Sequence, residues 1–251
     1  MRILIQGILW PIVFWARPSR VFMRVVSQAV AMGAPARRLV LEWRYFMTWR
    51  DSLRPGRNPI DVRRPWLTFQ AIDWLSAHLE AGAKVFEYGG GGSTLFFLDR
   101  GAVLTTVEHD PEWFDLLRRK VADHPAWTGN LVPPRRLAGF IPGDSADPLG
   151  FSTSDERLRE HDFQAYAETI RNHPDAAFDL ICVDGRARPA CLALAIPKLR
   201  RGGLLILDNA ERETYARAVA LCREGFEVML DAPGSVPSCR WPSQTIIWKK
   251  L

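Results

Sequence analysis

Glu87, a run of four glycines and Glu108 have the residue types and spacing to bind a ligand with an ammonium group and a ribose. The glycines occupy positions 89–92, immediately after a short apolar segment. Glycine lets the backbone turn sharply and approach a ligand closely, and a carboxylate at Glu87 would attract an ammonium group and repel a pyrophosphate. Glu108 follows Glu87 by 21 residues, where an acid can accept the hydroxyls of a ribose. The alternative is a flexible turn with a solvated acid nearby.

The glycine run lacks the spacing of the common phosphate-binding motifs. Thr94 stands where the dinucleotide pattern G-x-G-x-x-G requires its third glycine, and no Gly-Lys-Ser/Thr follows, as it would in a P-loop. The run is therefore unlike a nucleotide-phosphate loop.

A second polar set consists of Asp184 and the pair Asp208-Asn209, each directly after an apolar segment. Two carboxylates and an amide are hard oxygen ligands of the kind that Mg²⁺ and Ca²⁺ take. Alternatively, these side chains contact a cofactor, act as a base or cap a turn.

Three arginines, Arg186, Arg188 and Arg212, lie next to these acids in the sequence. A guanidinium fork matches a carboxylate, phosphate or sulfate group, so the arginines are candidates for binding an anionic acceptor. The alternative is that they pair with Asp184, Asp208 or Glu211 as part of the scaffold.

The elements that must position these residues begin at Pro65, where short apolar segments start to alternate with segments of helical periodicity. Near-continuous apolar strands indicate a mainly parallel sheet covered by helices on both faces. The last two strands lie too close in sequence for a crossover helix, which predicts an antiparallel pair. The predicted strands are 83–88, 102–110, 130–138 (at an edge), 178–185, 202–209, 226–232 and 243–250, and the predicted helices are 68–82, 93–101, 111–121, 161–173, 188–200 and 211–224, with a long loop at 139–160. Because ligands of such sheets bind at the carboxyl ends of the strands, the polar sets should meet at one edge.

The combination Glu87-x-Gly89-x-Gly91 with Glu108 resembles the class I S-adenosylmethionine-dependent methyltransferases, over the chain from about Pro65 to its end. The resemblance implies a Rossmann-like, doubly wound and mainly parallel seven-stranded sheet with an antiparallel C-terminal strand pair. It also implies that the glycine loop and first acid hold the methionine part of the cofactor and the second acid holds the ribose. The expected cofactor-binding residues are Glu87, Gly89, Gly90, Gly91, Ser93, Glu108, His109 and Asp184.

The Asp184 and Asp208-Asn209 set is similar to the metal site of catechol-type and caffeoyl-CoA-type O-methyltransferases. This partial resemblance implies Mg²⁺ or another divalent cation at Asp184, Asp208 and Asn209, although Ala187 stands where those enzymes have a lysine. The catalytic candidates are Asp184, Asp208 and His109, the last as a general base with a pKa near neutrality or as a positioning residue. The candidates for binding the acceptor are Arg186, Arg188, Asn209 and Arg212.

Charge is distributed unevenly along the 251 residues. Residues 1–64 hold 12 arginines, no lysine and three acids, which gives a net charge of +9 against +5 for the whole chain. Such asymmetry suggests that this part meets something anionic. We therefore divide the chain into a basic, aromatic, helical N-terminal arm and linker at 1–64 and an S-adenosylmethionine-binding domain at 65–251.

Residues 3–16 are strongly apolar and contain Pro11. A 14-residue helix would be about 21 Å long, too short for a hydrocarbon core of about 30 Å. Tryptophan, phenylalanine and leucine beside arginine suit a segment lying in a membrane interface, so residues 1–50 are candidates for peripheral membrane contact. The alternatives are packing on the body or on a second copy in a homo-oligomer, and a cleaved or spanning segment.

These observations predict O-methylation of a small-molecule, sugar or lipid-linked acceptor near a membrane. The alternatives are an RNA methyltransferase that uses the arginine-rich arm and a non-catalytic methyltransferase-like binding module. A DNA substrate is disfavoured because VDGRAR stands where DNA amino-methyltransferases carry an Asp/Asn-Pro-Pro-aromatic motif. The four cysteines form no C-x-x-C pair, which indicates reduced thiols and a reducing compartment. Together with the arm, this predicts a cytoplasmic protein, peripheral on the inner face of the membrane.

Overall fold

The computed structural model describes residues 20–31, 42–56, 58–136 and 142–251. Nine strands are present in these ranges: β1 Lys84–Tyr88, β2 Val103–Glu108, β3 Trp127–Leu131, β4 Arg135–Arg136, β5 His161–Asp162, β6 Phe178–Val183, β7 Leu199–Leu207, β8 Phe226–Gly234 and β9 Ser243–Lys250. Seven of them form one sheet in the order β3-β2-β1-β6-β7-β9-β8, and β4 pairs with β5 in a separate ladder.

The first five strands of the sheet are parallel, and β9 runs antiparallel to both β7 and β8. The predicted Rossmann-like fold, with its mainly parallel seven-stranded sheet and antiparallel C-terminal pair, is confirmed. The strand order reverses at β1, between β2 and β6, so the crevice for a ligand of such a sheet lies at the carboxyl ends of β1 and β6.

Helices connect the strands and cover both faces of the sheet. Residues 20–31 are helical and form α1. The other helices are α2 Phe46–Ser52, α3 Pro59–Val62, α4 Phe69–His78, α5 Gly92–Leu98, α6 Pro111–Val121, α7 Gln164–Glu168, α8 Arg188–Lys198 and α9 Ala216–Ala220.

Two hydrophobic cores lie on opposite faces of the sheet because side chains alternate along each buried strand. Val85 of β1 belongs to a core with Leu75 and Phe97. Its neighbour Phe86 belongs to a second core with Tyr166. Burial on both faces explains why the central strands read as continuous apolar runs.

Three element predictions were wrong in their bounds. The strand predicted at 130–138 is β3 at Trp127–Leu131, at the sheet edge as expected, because two prolines after it cannot donate to a ladder. The helix predicted at 161–173 begins later, as α7, and continues as a 3-10 turn at Thr169–Asn172. The helix predicted at 211–224 is a 3-10 turn at Glu213–Tyr215 followed by α9.

The described part of the N-terminal arm packs on the body. Phe22, Phe46 and Trp49 are buried and their rings contact one another. The Trp49 Nε1 donates to the Cys239 carbonyl at 2.7 Å, and the buried Glu42 carboxylate accepts from the Ser235 N–H at 3.0 Å. Packing on the body, one of the alternatives for the arm, therefore applies to these residues.

The apolar run at 3–16 lies outside the described residues, as do residues 32–41. The membrane contact of the arm therefore remains a prediction. Within the described ranges, no helix has the length and apolar character to cross a membrane. The division of the chain at residue 64 also stays a prediction. The C-terminal end of this arm and linker segment contains α3, whose Ile60 is buried.

Candidate cofactor and acceptor site

The loops that follow β1 and β6 touch each other at two glycines. Gly89 has a φ of +86°, and a Cβ atom built on it would lie 2.7 Å from the Gly185 Cα. A Cβ on Gly185 would lie 1.9 Å from the Tyr166 hydroxyl. Both positions therefore require glycine, and the contact brings the two loops into one site at the point where the strand order reverses.

The remaining glycines of the run differ in what surrounds them. A Cβ on Gly90 would meet the Leu117 side chain at 2.6 Å, and a Cβ on Gly92 would meet the Arg64 carbonyl at 2.0 Å. At Gly91 the nearest atoms belong to Trp113, at 3.8 Å. Gly91 is therefore the position in this run where a Cβ atom would fit without overlapping its neighbours.

Glu87 is buried at the end of β1 with half of its carboxylate unused. Its Oε2 accepts from the hydroxyls of Thr94 at 2.6 Å and Thr106 at 2.9 Å, whereas Oε1 has no hydrogen-bond partner. Burial raises the pKa of Glu87 to about 7, against the opposing effect of the Ser93, Thr94 and Thr106 hydroxyls. The unused oxygen is an acceptor that a cationic ligand group would satisfy.

Glu108 is held in place by backbone N–H groups at the end of β2. Its Oε1 accepts from the N–H of His109 at 2.7 Å and of Asp110 at 2.8 Å. Its Oε2 accepts from the Gly90 N–H at 3.0 Å. Since each carboxylate oxygen has two lone pairs, Oε2 keeps room for one hydroxyl donor.

Buried polar atoms without partners gather at this edge. Six buried side-chain nitrogen or oxygen atoms among the described residues make no hydrogen bond, and four of them lie around these strand ends: Glu87 Oε1, His109 Nδ1, the Tyr166 hydroxyl and Arg186 Nε. The His109 Nδ1 lies 2.6 Å from Glu108 Oε1 but not in hydrogen-bonding geometry. Folded proteins leave few such atoms unsatisfied, so their concentration in one place points to a polar ligand.

Tyr166 was missed by the sequence analysis. It lies in α7, in the segment predicted only as a helix, and its side chain is buried against the ring of His109, with centroids 6.1 Å apart. Burial raises the pKa of its hydroxyl well above the usual range, so the group stays protonated and can donate. No local motif marks this residue, since its place depends on packing between α7 and the loop after β6.

Asp184 and Asp208 are bridged by the buried side chain of Arg188. The Arg188 Nη2 lies 2.9 Å from Asp184 Oδ1, and Nη1 lies 3.9 Å from Asp208 Oδ2. Burial raises the pKa of both carboxyls, and the Arg188 charge opposes the shift in each. The Asp208 carboxylate also accepts from the Thr245 hydroxyl at 2.7 Å.

The predicted metal ligands do not fit a divalent cation. The positive charge between Asp184 and Asp208 is already that of Arg188. The Asn209 amide nitrogen donates to the Ser243 hydroxyl at 2.7 Å, which fixes the orientation of the amide. In the described part of the chain, no group of three or more His, Cys, Asp and Glu side chains is arranged to hold a metal ion.

The catalytic candidates differ in how far their side chains are exposed to solvent. The side chains of Asp184 and His109 are each 14% exposed, whereas that of Asp208 is 4% exposed. Asp184 and His109 can therefore border a ligand, and Asp208 lies behind Asp184 within the scaffold.

The arginine candidates also separate. Arg188 is buried and pairs with the acids as part of the scaffold, the second of the two alternatives. Arg212 is exposed and donates to the Tyr215 hydroxyl at 3.2 Å. Arg186 is partly exposed and its Nη2 lies 3.3 Å from Asp155 Oδ2, which attaches the loop at 142–160 to the strand ends. Hydrogen bonds from Arg157, with a smaller effect of the Arg186 charge, lower the pKa of Asp155 to about 2, so this carboxylate is ionised at neutral pH.

Several solved structures with a similar fold are named as methyltransferases, although no protein-family model and no curated protein matches the chain. A protein from Klebsiella pneumoniae named as an O-methyltransferase has a TM-score of 0.48 and 18% identity, covering 92% of this chain and 90% of its own. A protein from Clostridium thermocellum named as an rRNA methylase has a TM-score of 0.49 and 12% identity, covering 72% of this chain and 94% of its own. Fibrillarin from Aeropyrum pernix, solved with bound S-adenosyl-L-methionine, has a TM-score of 0.44 and 18% identity, covering 71% and 73%. At these identities the likeness concerns the fold.

Proposed function

We propose that this protein is an S-adenosylmethionine-dependent methyltransferase whose site lies at the carboxyl ends of β1, β2, β6 and β7. The observation that carries the proposal is the gathering of unsatisfied buried polar atoms, including Glu87 Oε1, around a glycine loop at the point where the strand order reverses. A ligand with a cationic end and hydroxyl groups would satisfy these atoms.

Glu87 and Gly91 are suited to the amino-acid end of this cofactor. The free Oε1 of Glu87 would attract its ammonium group, and the contact is strengthened by burial because the local dielectric is low. Gly91 has no side chain to block a ligand from approaching the backbone, and the nearest atoms to its Cβ position belong to Trp113 at 3.8 Å. Ser93 is buried next to Glu87 and completes this wall of the site.

Glu108 is suited to the ribose. Three backbone N–H groups fix its carboxylate before a ligand arrives, so little conformational entropy is lost on binding. The remaining lone pair on Oε2 would accept a ribose hydroxyl, and the adjacent His109 ring would flank the nucleoside.

When bound, the cofactor supplies a methyl group attached to a positively charged sulfonium. The methyl group alone passes to the acceptor. The protein's part is to hold the acceptor in line with that group and to take the proton of an acceptor hydroxyl. Asp184 is the side chain best placed to accept the proton, since it borders the Gly89–Gly185 contact and its carboxylate is partly exposed. We assign the acceptor atom to oxygen on this ground.

The charges around Asp184 favour an acceptor with an anionic group. Arg186 and Arg212 both lie close enough to oppose the rise in the pKa of Asp184. Neither is buried, so each can turn to a carboxylate or phosphate on the acceptor. We infer a small-molecule, sugar or lipid-linked acceptor.

The membrane part of the proposal rests on the sequence at 3–16 and on the arginines of the arm. Full-length protein should sediment with vesicles of anionic lipid and not with neutral ones, and binding should weaken as salt screens the arginines. Absence of sedimentation with anionic vesicles would remove the membrane from the proposal. Binding to RNA with a steep loss of affinity in salt would favour an RNA acceptor instead.

Calorimetric titration with S-adenosylmethionine tests the enzyme proposal directly. Glu108→Ala should weaken binding by about 10–100-fold, since a hydrogen bond to a charged group contributes about 1.5–3 kcal/mol. Glu112→Ala is the matched control, because this exposed acid lies four residues away in the first turn of α6. A folded wild-type protein that does not bind the cofactor would leave the non-catalytic module as the better explanation.

A further inference from the structure

Arg188 occupies an oxygen cage formed by the ends of β6 and β7. Its Nε donates to the Gly185 carbonyl at 3.0 Å, its Nη1 to the Asp208 carbonyl at 2.6 Å and its Nη2 to the Asp184 carbonyl at 3.2 Å. The carboxylates of Asp184 and Asp208 complete the cage at 2.9 and 3.9 Å.

Three main-chain carbonyls and two carboxylates are the donor set that proteins offer to a hard divalent cation. Here the planar guanidinium fork matches the same oxygens, and Arg188 is 6% exposed. A guanidinium cannot lose its charge at any pH at which the protein is folded, so the cage permanently contains a cation.

We propose that the Arg188 guanidinium takes the place of a divalent cation between Asp184 and Asp208, and that the acceptor site works without a metal. Arg188 acts as a positioning residue: it fixes the Asp184 carboxylate and locks the two strand ends together. The statement about the acceptor site rests on the proposed function, whereas the content of the oxygen cage can be tested whether or not that function is correct.

The backbone before Arg188 is shaped to place the side chain in the cage. Ala187 adopts the left-handed region, with a φ of 47° and a ψ of 40°, at the start of α8. This conformation is unfavourable for a residue with a Cβ atom, and here it turns the chain so that Arg188 points back toward β6 and β7. The position of the Arg188 guanidinium in the cage therefore depends on a turn that the sequence alone does not indicate.

The guanidinium also has an aromatic neighbour. The Arg188 Cζ lies 5.9 Å from the centre of the Tyr215 ring, within reach of a cation–π interaction. An aromatic face attracts a weakly hydrated guanidinium better than a strongly hydrated metal ion, so this wall of the cage favours the side chain over an ion.

The test is titration with Mn²⁺, followed by electron paramagnetic resonance. The wild type should leave the added Mn²⁺ free, whereas Arg188→Ala should leave the two carboxylates without a cation, so that added Mn²⁺ binds and the signal of the free ion falls. Arg212→Ala is the matched control, because it removes a nearby exposed arginine and leaves the cage filled.

Further variants separate the outcomes. Arg188→Ala combined with Asp208→Asn should lose the gained Mn²⁺ site, and added guanidinium ion should compete with Mn²⁺ in Arg188→Ala. The proposal is overturned if the wild type binds Mn²⁺ and Asp184→Asn removes the binding, or if a folded Arg188→Ala gains no site. Should Arg188→Ala not fold, the wild-type titration decides, because it needs no variant.

Discussion

At the scale of the residue, Glu87 is the side chain whose chemistry depends most on its surroundings. Three buried hydroxyls lie beside its carboxylate, yet burial still raises the pKa from 4.5 to about 7. Its protonation therefore changes within the physiological range, unlike that of an exposed glutamate. An ammonium ligand favours the ionised form, so binding and proton release are coupled.

The coupling gives cofactor affinity a definite pH dependence. Below the raised pKa Glu87 is protonated and does not attract an ammonium group, so affinity for S-adenosylmethionine should fall by up to about tenfold per pH unit as the pH drops below about 7. Above about pH 8 the affinity should become constant. Calorimetric titrations between about pH 5.5 and 8.5, a range that brackets the pKa of Glu87, check this expectation.

The Glu87→Gln variant provides the control for that prediction. It keeps the size of the side chain and removes the titrating group, so its weaker binding should not change over the same range. A wild-type affinity that is flat across neutral pH would show that Glu87 does not bind the charged end of the ligand.

At the scale of the element, the glycine loop after β1 combines two physical requirements. A Cβ atom on Gly89 or Gly90 would overlap protein atoms, whereas one on Gly91 would only make ordinary contact with Trp113. The first two glycines are therefore required by the fold, and the third is the one at which we expect a role in ligand approach. Adding a methyl group at each position should therefore have different effects.

Gly91→Ala should leave stability nearly unchanged and weaken cofactor binding by more than about tenfold, because the new methyl group would occupy the ligand's space. Gly89→Ala should instead destabilise the fold by about 1–3 kcal/mol, since its Cβ would overlap the Gly185 backbone. Thermal unfolding and calorimetry on the two variants separate these effects. Equal losses of stability in both would contradict the assignment.

The element scale also shows what the sequence could predict. The acid at the end of β1, the glycine run and the acid at the end of β2 are local patterns, and their meeting follows from the parallel strand order. Pairing of Arg188 with Asp184 and Asp208 is one of the two alternatives that the sequence offers, but the carbonyl contacts that complete the cage could not be predicted, because they depend on the left-handed turn at Ala187. A lone arginine beside two aspartates gives no indication of whether it faces the solvent or the interior.

At the scale of the whole molecule, the described part of the basic arm is integrated into the body. Glu42 is buried, and its hydrogen-bond partner Ser235 lies 193 residues away in the sequence. Trp49 likewise donates to the Cys239 carbonyl. The sequence pattern predicted a membrane-facing arm because arginine and aromatic residues also suit that role. Packing on the body was an alternative, but contacts between positions so far apart leave no local signal, so the sequence could not decide between the two.

Trp49 and Trp43 give a matched test of this integration. Trp49→Ala should lower the free energy of unfolding by about 3–5 kcal/mol, since it removes a fully buried indole from the core. Trp43→Ala should cost about 1 kcal/mol, because this side chain is 44% exposed. Urea denaturation of both variants checks the difference, and similar losses would mean that the arm is not part of the folded core.

Gly92 of the glycine loop packs directly against the Arg64 carbonyl at the end of the arm. When two segments are in direct contact, the free energy of ordering one depends on the position of the other. A ligand that fixes the loop at 89–92 should therefore also favour packing of residues 59–64 on the body, and the effect should be reciprocal. A partner that draws residues 59–64 away from the body would therefore loosen the loop at 89–92. Attachment of the arm and occupancy of the site are thus coupled equilibria of one molecule.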